Sequence, residues 1–194
     1  MALFHRQQFD SMNDLLVEQL EDLYDAEKRQ CETQSKLADK AKTPELASVF
    51  RQQDSIARTH LTRLETAFRE LGKEPKGETC DAMKGLIKEV EHVMGAEGDP
   101  SVRDAALIAS AQRIMHYEMA GYGTVRTFAE EMGHQQIAQL MQESLDDEER
   151  FDRQLTDLAK RRINPNAAGK PRHSDDLPGR QRFDKPASDT YPQH

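Results

Sequence analysis

The spacing of apolar residues is the feature of this chain that most restricts its fold. In four long segments these residues recur at alternating intervals of three and four, which keeps one stripe of an α-helix facing a neighbouring helix. Helix-capping and helix-ending residues separate the segments at Thr43-Pro44, Asp99-Pro100 and Gly133. The sequence therefore predicts an all-α fold, an antiparallel four-helix bundle made of two helical hairpins joined by a crossover with an extra short helix.

The same signals set the boundaries of the bundle. The predicted helices span about residues 11–42, 43–71, 83–94, 99–132 and 134–163. A bundle domain is therefore predicted for 11–163, after an N-terminal extension at 1–10. The remaining segment, 164–194, holds five prolines and almost no apolar residues. Because such a segment cannot bury enough surface to fold alone, we expect it to be disordered or to dock on a partner subunit.

Composition narrows the class of protein. Among 194 residues, 32% are charged and 6% are aromatic, and the formal net charge is -8. The acidic residues lie between apolar positions along the helices, so they indicate solvated helix faces, and nucleic acid is not an expected partner. No apolar run approaches the roughly 20 residues that cross a bilayer, and the N-terminus lacks a signal-peptide pattern. With Cys31 and Cys80 not forming a CxxC pair, we expect a cytoplasmic protein with reduced thiols.

Each of the four stripes is interrupted near its middle by a residue type that binds metals. These residues are Glu27, His60, Glu118 and Glu148. In an antiparallel hairpin, residues equidistant from the turn lie side by side. The midpoint of 27 and 60 is 43.5, at Thr43-Pro44, and the midpoint of 118 and 148 is 133, at Gly133. The four side chains are therefore expected to share one layer of the bundle.

A buried layer of carboxylates and imidazole is costly unless a positive group meets it. Ferritin-like bundles hold two iron or manganese ions with such oxygen and nitrogen ligands, so the layer predicts an iron or manganese site. Asp152, one turn beyond Glu148, is a candidate for another oxygen ligand. The predicted metal ligands are Glu27, His60, Glu118, Glu148 and Asp152. The alternative is that one or two of the glutamates face outward or pair with Arg63 or Arg113.

Five ordered motifs resemble the YciE/YciF family of ferritin-like stress proteins. They are YDAEK (24–28), CDAMKGLIKE (80–89), VRDAALIASAQ (102–112), HYEMAGYGT (116–124) and LDDEERFD (145–152). The resemblance covers about residues 11–162 and implies an elongated helical homodimer with a ferritin-like bundle and a dinuclear metal site. Glu27, Glu118, Glu148 and Asp152 carry over directly because they stand inside matching motifs.

The second helix departs from the family's pattern. Where relatives usually have a carboxylate pair in a segment resembling HLEET, this chain has Ser55 and Ile56. His60, one turn further along, could replace the lost ligands, and Gln53 and Asp54 are weaker candidates. Otherwise only one metal binds, held mainly by the second hairpin.

Two functional hypotheses follow from these observations. The first is a stress-response protein that binds iron or manganese and reacts with oxygen or peroxide. The second is a non-catalytic structural or interaction dimer whose polar layer holds one metal or none, with the tail contacting a partner. Storage in a 24-subunit shell is disfavoured because no short fifth helix closes the bundle.

Overall fold

The computed structural model describes residues 9–169, which form an all-α bundle. Its helices are α1 (Met12–Lys40), α2 (Pro44–Glu70), α3 (Asp81–Gly95), α4 (Pro100–Glu131) and α5 (Gln135–Leu158), followed by a π-helical turn (Ala159–Ile163) and the short α6 (Asn164–Ala167). One hairpin is α1 with α2 and the other is α4 with α5, and α2 packs on α5 while α1 packs on α4. The crossover between the hairpins contains α3. The predicted fold class is confirmed.

The turn between α1 and α2 is held by a side chain from the other hairpin. Thr43 stands at the N-cap of α2 without a side-chain cap hydrogen bond, and Pro44 occupies the first turn. The carboxylate of Asp104 instead accepts hydrogen bonds from the backbone N–H groups of Lys42, at 2.8 Å, and Thr43, at 2.7 Å. Because Asp104 is buried on α4, it fixes the first hairpin against the second at this end of the bundle.

The turn between α4 and α5 depends on glycine. Gly133 has a φ of 80°, in the left-handed region that favours glycine. Its backbone N–H bonds to the carbonyl of Glu130 at 3.1 Å, and the N–H of His134 bonds to the carbonyl of Ala129 at 2.8 Å. This pair of hydrogen bonds is the Schellman arrangement, which ends α4 and lets α5 return antiparallel to it.

Two apolar clusters fill the bundle, one towards each end. The first cluster includes Leu16, Leu20, Leu23, Leu64, Phe68 and Ile137. The second includes Leu37, Leu46, Phe50, Ile108, Phe151 and Leu155. On α1, Glu27 lies in sequence between Leu23 of the first cluster and Leu37 of the second. The polar layer therefore occupies the middle of the bundle, with apolar packing above and below it.

Helical structure extends beyond the predicted end of the bundle at 163. The π-helical turn ends at Ile163, which is fully buried, and α6 continues to Ala167. Most of the predicted tail and extension, 170–194 and 1–8, lies outside the described residues, so the expectations for those segments stay predictions. Within 9–169, no helix is long and apolar enough to cross a membrane.

Candidate metal centre

The four residues predicted to form a layer are each supplied by a different main helix. Glu27 comes from α1, His60 from α2, Glu118 from α4 and Glu148 from α5. All four have a solvent-exposed fraction of 0%. The alternative that one or two of the glutamates face outward is therefore wrong.

Three of these residues converge closely enough to share one ion. Glu27, His60 and Glu148 each offer a ligand atom, and these atoms lie within 4.8 Å of one another. His60 Nδ1 is 2.9 Å from Glu27 Oε1 and 3.6 Å from Glu148 Oε1. The imidazole therefore directs one nitrogen towards the space between two carboxylates.

Glu118 completes the layer from α4. Neither of its carboxylate oxygens has a hydrogen-bond partner among the described residues. Burial raises its pKa well above the ordinary value, and the negative charges of Glu27 and Glu148 raise it further. Without a cation, these effects therefore favour the protonated form of Glu118.

Electrostatics within the layer favour positive charge. Burial alone would lower the pKa of His60, but the charge of Glu27 and the contact with Asp147 raise it to about 9. Burial raises the pKa of Glu148, and the nearby charge of Glu27 adds to that effect, while His60 and Gln53 oppose it. The carboxylates thus favour the protonated form of His60, and burial favours the protonated forms of Glu118 and Glu148.

Two neutral side chains orient the carboxylates. Gln53 donates from Nε2 to Glu148 Oε1 at 2.7 Å, and the hydroxyl of Tyr122 donates to Glu27 Oε1. The Tyr122 ring also packs edge-on against His60, with ring centroids 5.5 Å apart. These contacts limit the rotation of both carboxylates.

The donor set fits a divalent metal ion. Four carboxylate oxygens in the layer lack hydrogen-bond partners within residues 9–169: Glu27 Oε2, Glu118 Oε1, Glu118 Oε2 and Glu148 Oε2. Buried polar atoms of folded proteins are nearly always paired, so each orphaned oxygen indicates a missing partner. Three carboxylates with one imidazole form an oxygen-rich set that suits iron or manganese, and a cation would satisfy both the charge and the orphaned oxygens.

The structure does not bring Asp152 to this group. Its Oδ1 accepts a hydrogen bond from Gln112 Nε2 at 2.8 Å and lies 3.2 Å from His116 Nε2. Asp152 is four residues after Glu148, but its carboxylate is held between α4 and α5 by these side chains. The geometry therefore gives no support to the prediction that Asp152 adds an oxygen to the site.

The other α2 residues considered as ligand positions, apart from Gln53, lie away from the layer. Ser55 is exposed, Ile56 packs against an apolar cluster, and Asp54 pairs with Arg58 at 3.4 Å. Only His60 and Gln53 of this helix reach the layer. Helix α2 therefore contributes no carboxylate to the layer.

Sequence reasoning missed Asp147, whose Oδ2 lies 3.4 Å from His60 Nε2. Asp147 in turn binds Arg63, with Oδ2 2.7 Å from Arg63 Nη1. The sequence also offers Arg63 and Arg113 as partners for the layer's glutamates, but Arg63 pairs with Asp147 and Arg113 lies 3.8 Å from Glu89. Asp147 does not fall on the apolar stripe of α5, so the periodicity held no signal for it.

Comparisons with known proteins agree with this architecture. Residues 11–168 match the family described as Domain of unknown function (DUF892). Protein YciF of Escherichia coli is 36% identical over 161 residues, which cover 82% of this chain and 97% of that protein.

Solved structures show the same arrangement of helices. The crystal structure of the E. coli stress protein YciF superposes with a TM-score of 0.77 at 36% identity, over 80% of this chain and 99% of the other. YcfI from Rhodopseudomonas palustris, proposed to be a structural protein, gives a TM-score of 0.75 at 34% identity, over 79% and 98%. A Xanthomonas campestris protein at 18% identity shares the fold, with a TM-score of 0.65 over 82% and 98%.

Fold and site together define an all-α bundle protein with a buried glutamate and histidine group at mid-height. The chain belongs to the DUF892 family, and it is similar to the stress protein YciF over most of its length. The family resemblance seen in the motifs is confirmed.

Proposed function

We propose that this chain binds one divalent metal ion, iron or manganese, within the bundle. Glu27, His60 and Glu148 would hold the ion, and Glu118 would supply a further carboxylate from α4. The observation that carries the proposal is the layer of three fully buried carboxylates and one imidazole, in which four carboxylate oxygens lack a hydrogen-bond partner among residues 9–169. A cation is the partner that satisfies all of them at once.

A single ion fits this site better than two. Dinuclear bundle sites use four glutamates and two histidines from four helices. This layer has three glutamates and one histidine, and α2 contributes the neutral amide of Gln53 in place of a carboxylate. These four side chains are two fewer than a dinuclear site uses, so the layer matches the needs of one ion better than those of two.

We further propose that the bound metal serves a protective reaction with oxygen or peroxide. The support is similarity to E. coli YciF, which is described as a stress protein. Iron in such a site would supply electron transfer to those oxidants. The chain's own residues exclude bulk water through complete burial, and Tyr122 and Gln53 keep Glu27 and Glu148 aimed inward.

A non-catalytic structural role is the second candidate. It is favoured by the missing carboxylates at Ser55 and Ile56 and by similarity to YcfI, which is proposed to be a structural protein. In that case one inert metal would stabilise the bundle.

One set of measurements separates these functions. The chain is purified without an affinity tag, its metal content is measured by mass spectrometry, and hydrogen peroxide consumption is followed for the metal-loaded protein. The variants are Glu118→Ala, Glu148→Gln and the control Glu149→Gln, an exposed neighbour on the same helix. About one metal per chain in wild type and E149Q, with little in the others, supports the site. Equal metal in all variants overturns it.

Peroxide consumption then decides between the two roles. Turnover that requires the loaded metal and is lost in E148Q supports the protective reaction, whereas a full metal complement without turnover supports the structural role. We also propose a homodimer, as the family resemblance implies, and light scattering after gel filtration tests this with a mass of about twice 22.1 kDa.

A further inference from the structure

The two nitrogens of His60 face different surroundings. Nδ1 is directed to Glu27 and Glu148, at 2.9 and 3.6 Å, in the proposed metal site. Nε2 is directed away from it and lies 3.4 Å from Asp147 Oδ2. At that length the contact is looser than a well-formed hydrogen bond, and within the described residues Nε2 makes no better one. Asp147 is therefore the available hydrogen-bond acceptor for an N–H group at this buried nitrogen.

Asp147 is itself held in place by cations. Its Oδ2 is 2.7 Å from Arg63 Nη1 and its Oδ1 is 2.5 Å from Arg150 Nη2. Arg63 Nη1 also donates to Ser144 Oγ at 3.2 Å, and its Nε lies 3.4 Å from Glu143 Oε2. These contacts fix Asp147 between α2 and α5, with its carboxylate beside the imidazole.

We propose that Asp147 is a positioning residue for the metal ligand His60. By accepting a hydrogen bond from the Nε2–H group, it selects the form of the imidazole whose Nδ1 lone pair is free, and it sets the angle of the ring. A metal at Nδ1 takes the place of the proton now shared with Glu27, so Nε2 must carry the remaining one. Metal-bound histidines commonly donate their second nitrogen to a carboxylate in this way, which strengthens and orients them.

This inference rests on the proposed metal site but is separable from it. Glu27, Glu118 and Glu148 are expected to bind the ion directly, whereas Asp147 acts only through His60. The competing explanation is that Asp147 merely ties α2 to α5 through Arg63. That role affects folding stability but not the protonation pattern of the bound imidazole.

The test uses the full chain with zinc as a diamagnetic probe. Zinc dissociation constants are measured by competition with a chelator for wild type, Asp147→Ala, Asp147→Asn and Asp146→Ala. Asp146 is the matched control because it is the adjacent residue on the same helix but is exposed and bound by Gln142 at 2.7 Å. We expect a dissociation constant raised about 10- to 100-fold in D147A, partly recovered in D147N, whose amide oxygen can still accept a hydrogen bond, and unchanged in D146A.

A second readout examines the imidazole itself. In zinc-loaded protein with nitrogen-15 histidine, the His60 resonances are assigned by their loss in His60→Gln. Wild type should show a proton on Nε2 that exchanges slowly with solvent and a zinc-bound Nδ1. In D147A that proton should exchange at least 10-fold faster.

The outcomes separate the positioning role of Asp147 from the existence of the metal site. If wild type binds zinc but D147A matches D146A in affinity and in proton exchange, the positioning role is overturned while the site stands. If wild type binds no zinc, both fail. Should D147A not fold, D147N carries the test, and an unchanged affinity there together with zinc bound through Nε2 overturns the inference.

Discussion

Tyr122 donates its hydroxyl proton to Glu27 Oε1, the same carboxylate oxygen that lies 2.9 Å from His60 Nδ1. The tyrosine comes from α4 and the glutamate from α1, so the contact joins the two hairpins through the polar layer. Because both side chains are completely buried, a hydrogen bond to a charged acceptor here is worth more than one at the surface.

Replacing Tyr122 with phenylalanine should therefore weaken the fold. Removing the hydroxyl takes away one of the two partners that Glu27 Oε1 has among the described residues and leaves His60. We expect a loss of about 1–2 kcal/mol in the free energy of unfolding. Urea denaturation of the metal-free protein measures it. The control is Tyr24→Phe, because the Tyr24 hydroxyl makes only a 3.3 Å bond to Glu65 in a partly buried position. Equal losses in both variants would contradict the special role of the Tyr122 contact.

Replacing Glu118 with leucine should separate stability from metal binding. In the metal-free protein the Glu118 carboxyl is buried and has no hydrogen-bond partner in the part of the chain that the structure describes. This is costly, so an apolar side chain of similar size is expected to raise stability by about 1–3 kcal/mol. The same change should lower metal affinity, because one carboxylate is lost. Thermal unfolding with and without manganese measures both effects. A variant that is less stable without metal, or that binds manganese as tightly as wild type, contradicts this prediction.

The metal-free protein should lose stability as pH rises through neutrality. Burial raises the pKa of Glu118 and Glu148 above 4.5, and Glu27 and Asp147 raise that of His60 to about 9. The folded state therefore binds more protons than the unfolded state between about pH 4.5 and 9, and stability falls where that is so.

Metal binding displaces these protons, so affinity should rise over the same range and the gain in melting temperature from manganese should widen with pH. Melting curves in chelator and in manganese, from pH 5 to pH 9, test both statements. Metal-free stability that increases across this interval would refute the assignment of protonated carboxyls. In Glu118→Leu the slope should be shallower.

The close packing of α4 on α1 can be tested at two glycines of α4. A Cβ at Gly121 would lie 2.6 Å from Leu23 Cδ2, whereas a Cβ at Gly123 would meet nothing within 4 Å. Gly123→Ala is expected to stabilise the helix by about 0.5–1 kcal/mol. Gly121→Ala should be less stable than that variant by roughly 1–3 kcal/mol, because Leu23 is in the core and must shift. Chemical denaturation that ranks the two equally would show that α1 and α4 are not so close.

The position of each ligand along the bundle axis could be predicted from the sequence. The side chains that contact the ligands could not all be predicted. Turn signals at Thr43-Pro44 and Gly133 fix which residues of a hairpin are level, so Glu27 with His60 and Glu118 with Glu148 followed from counting. The rotation of α5 about its axis relative to α2 depends on packing between helices that are not consecutive in the chain. Asp152 is predicted in the site because it lies one turn beyond Glu148, but its carboxylate contacts Gln112 and His116 of α4 instead.

Asp147 is the converse case, a residue that contacts a predicted ligand although the sequence did not indicate it. It precedes Glu148 and lies off the stripe of α5, so helical periodicity gives it no role. It reaches His60 only because α2 packs beside that face of α5 and Arg63 holds its carboxylate. A contact between segments this far apart in the chain cannot be predicted from the periodicity of a single sequence.

The central claim, one metal ion held by Glu27, His60 and Glu148, is tested most directly by anomalous X-ray diffraction. Crystals of the tag-free protein grown with manganese are measured on either side of the manganese absorption edge. The account predicts one anomalous peak per chain, enclosed by those three side chains and Glu118, and its absence in Glu148→Gln. No peak in the bundle, or two peaks of equal height within it, would contradict the account.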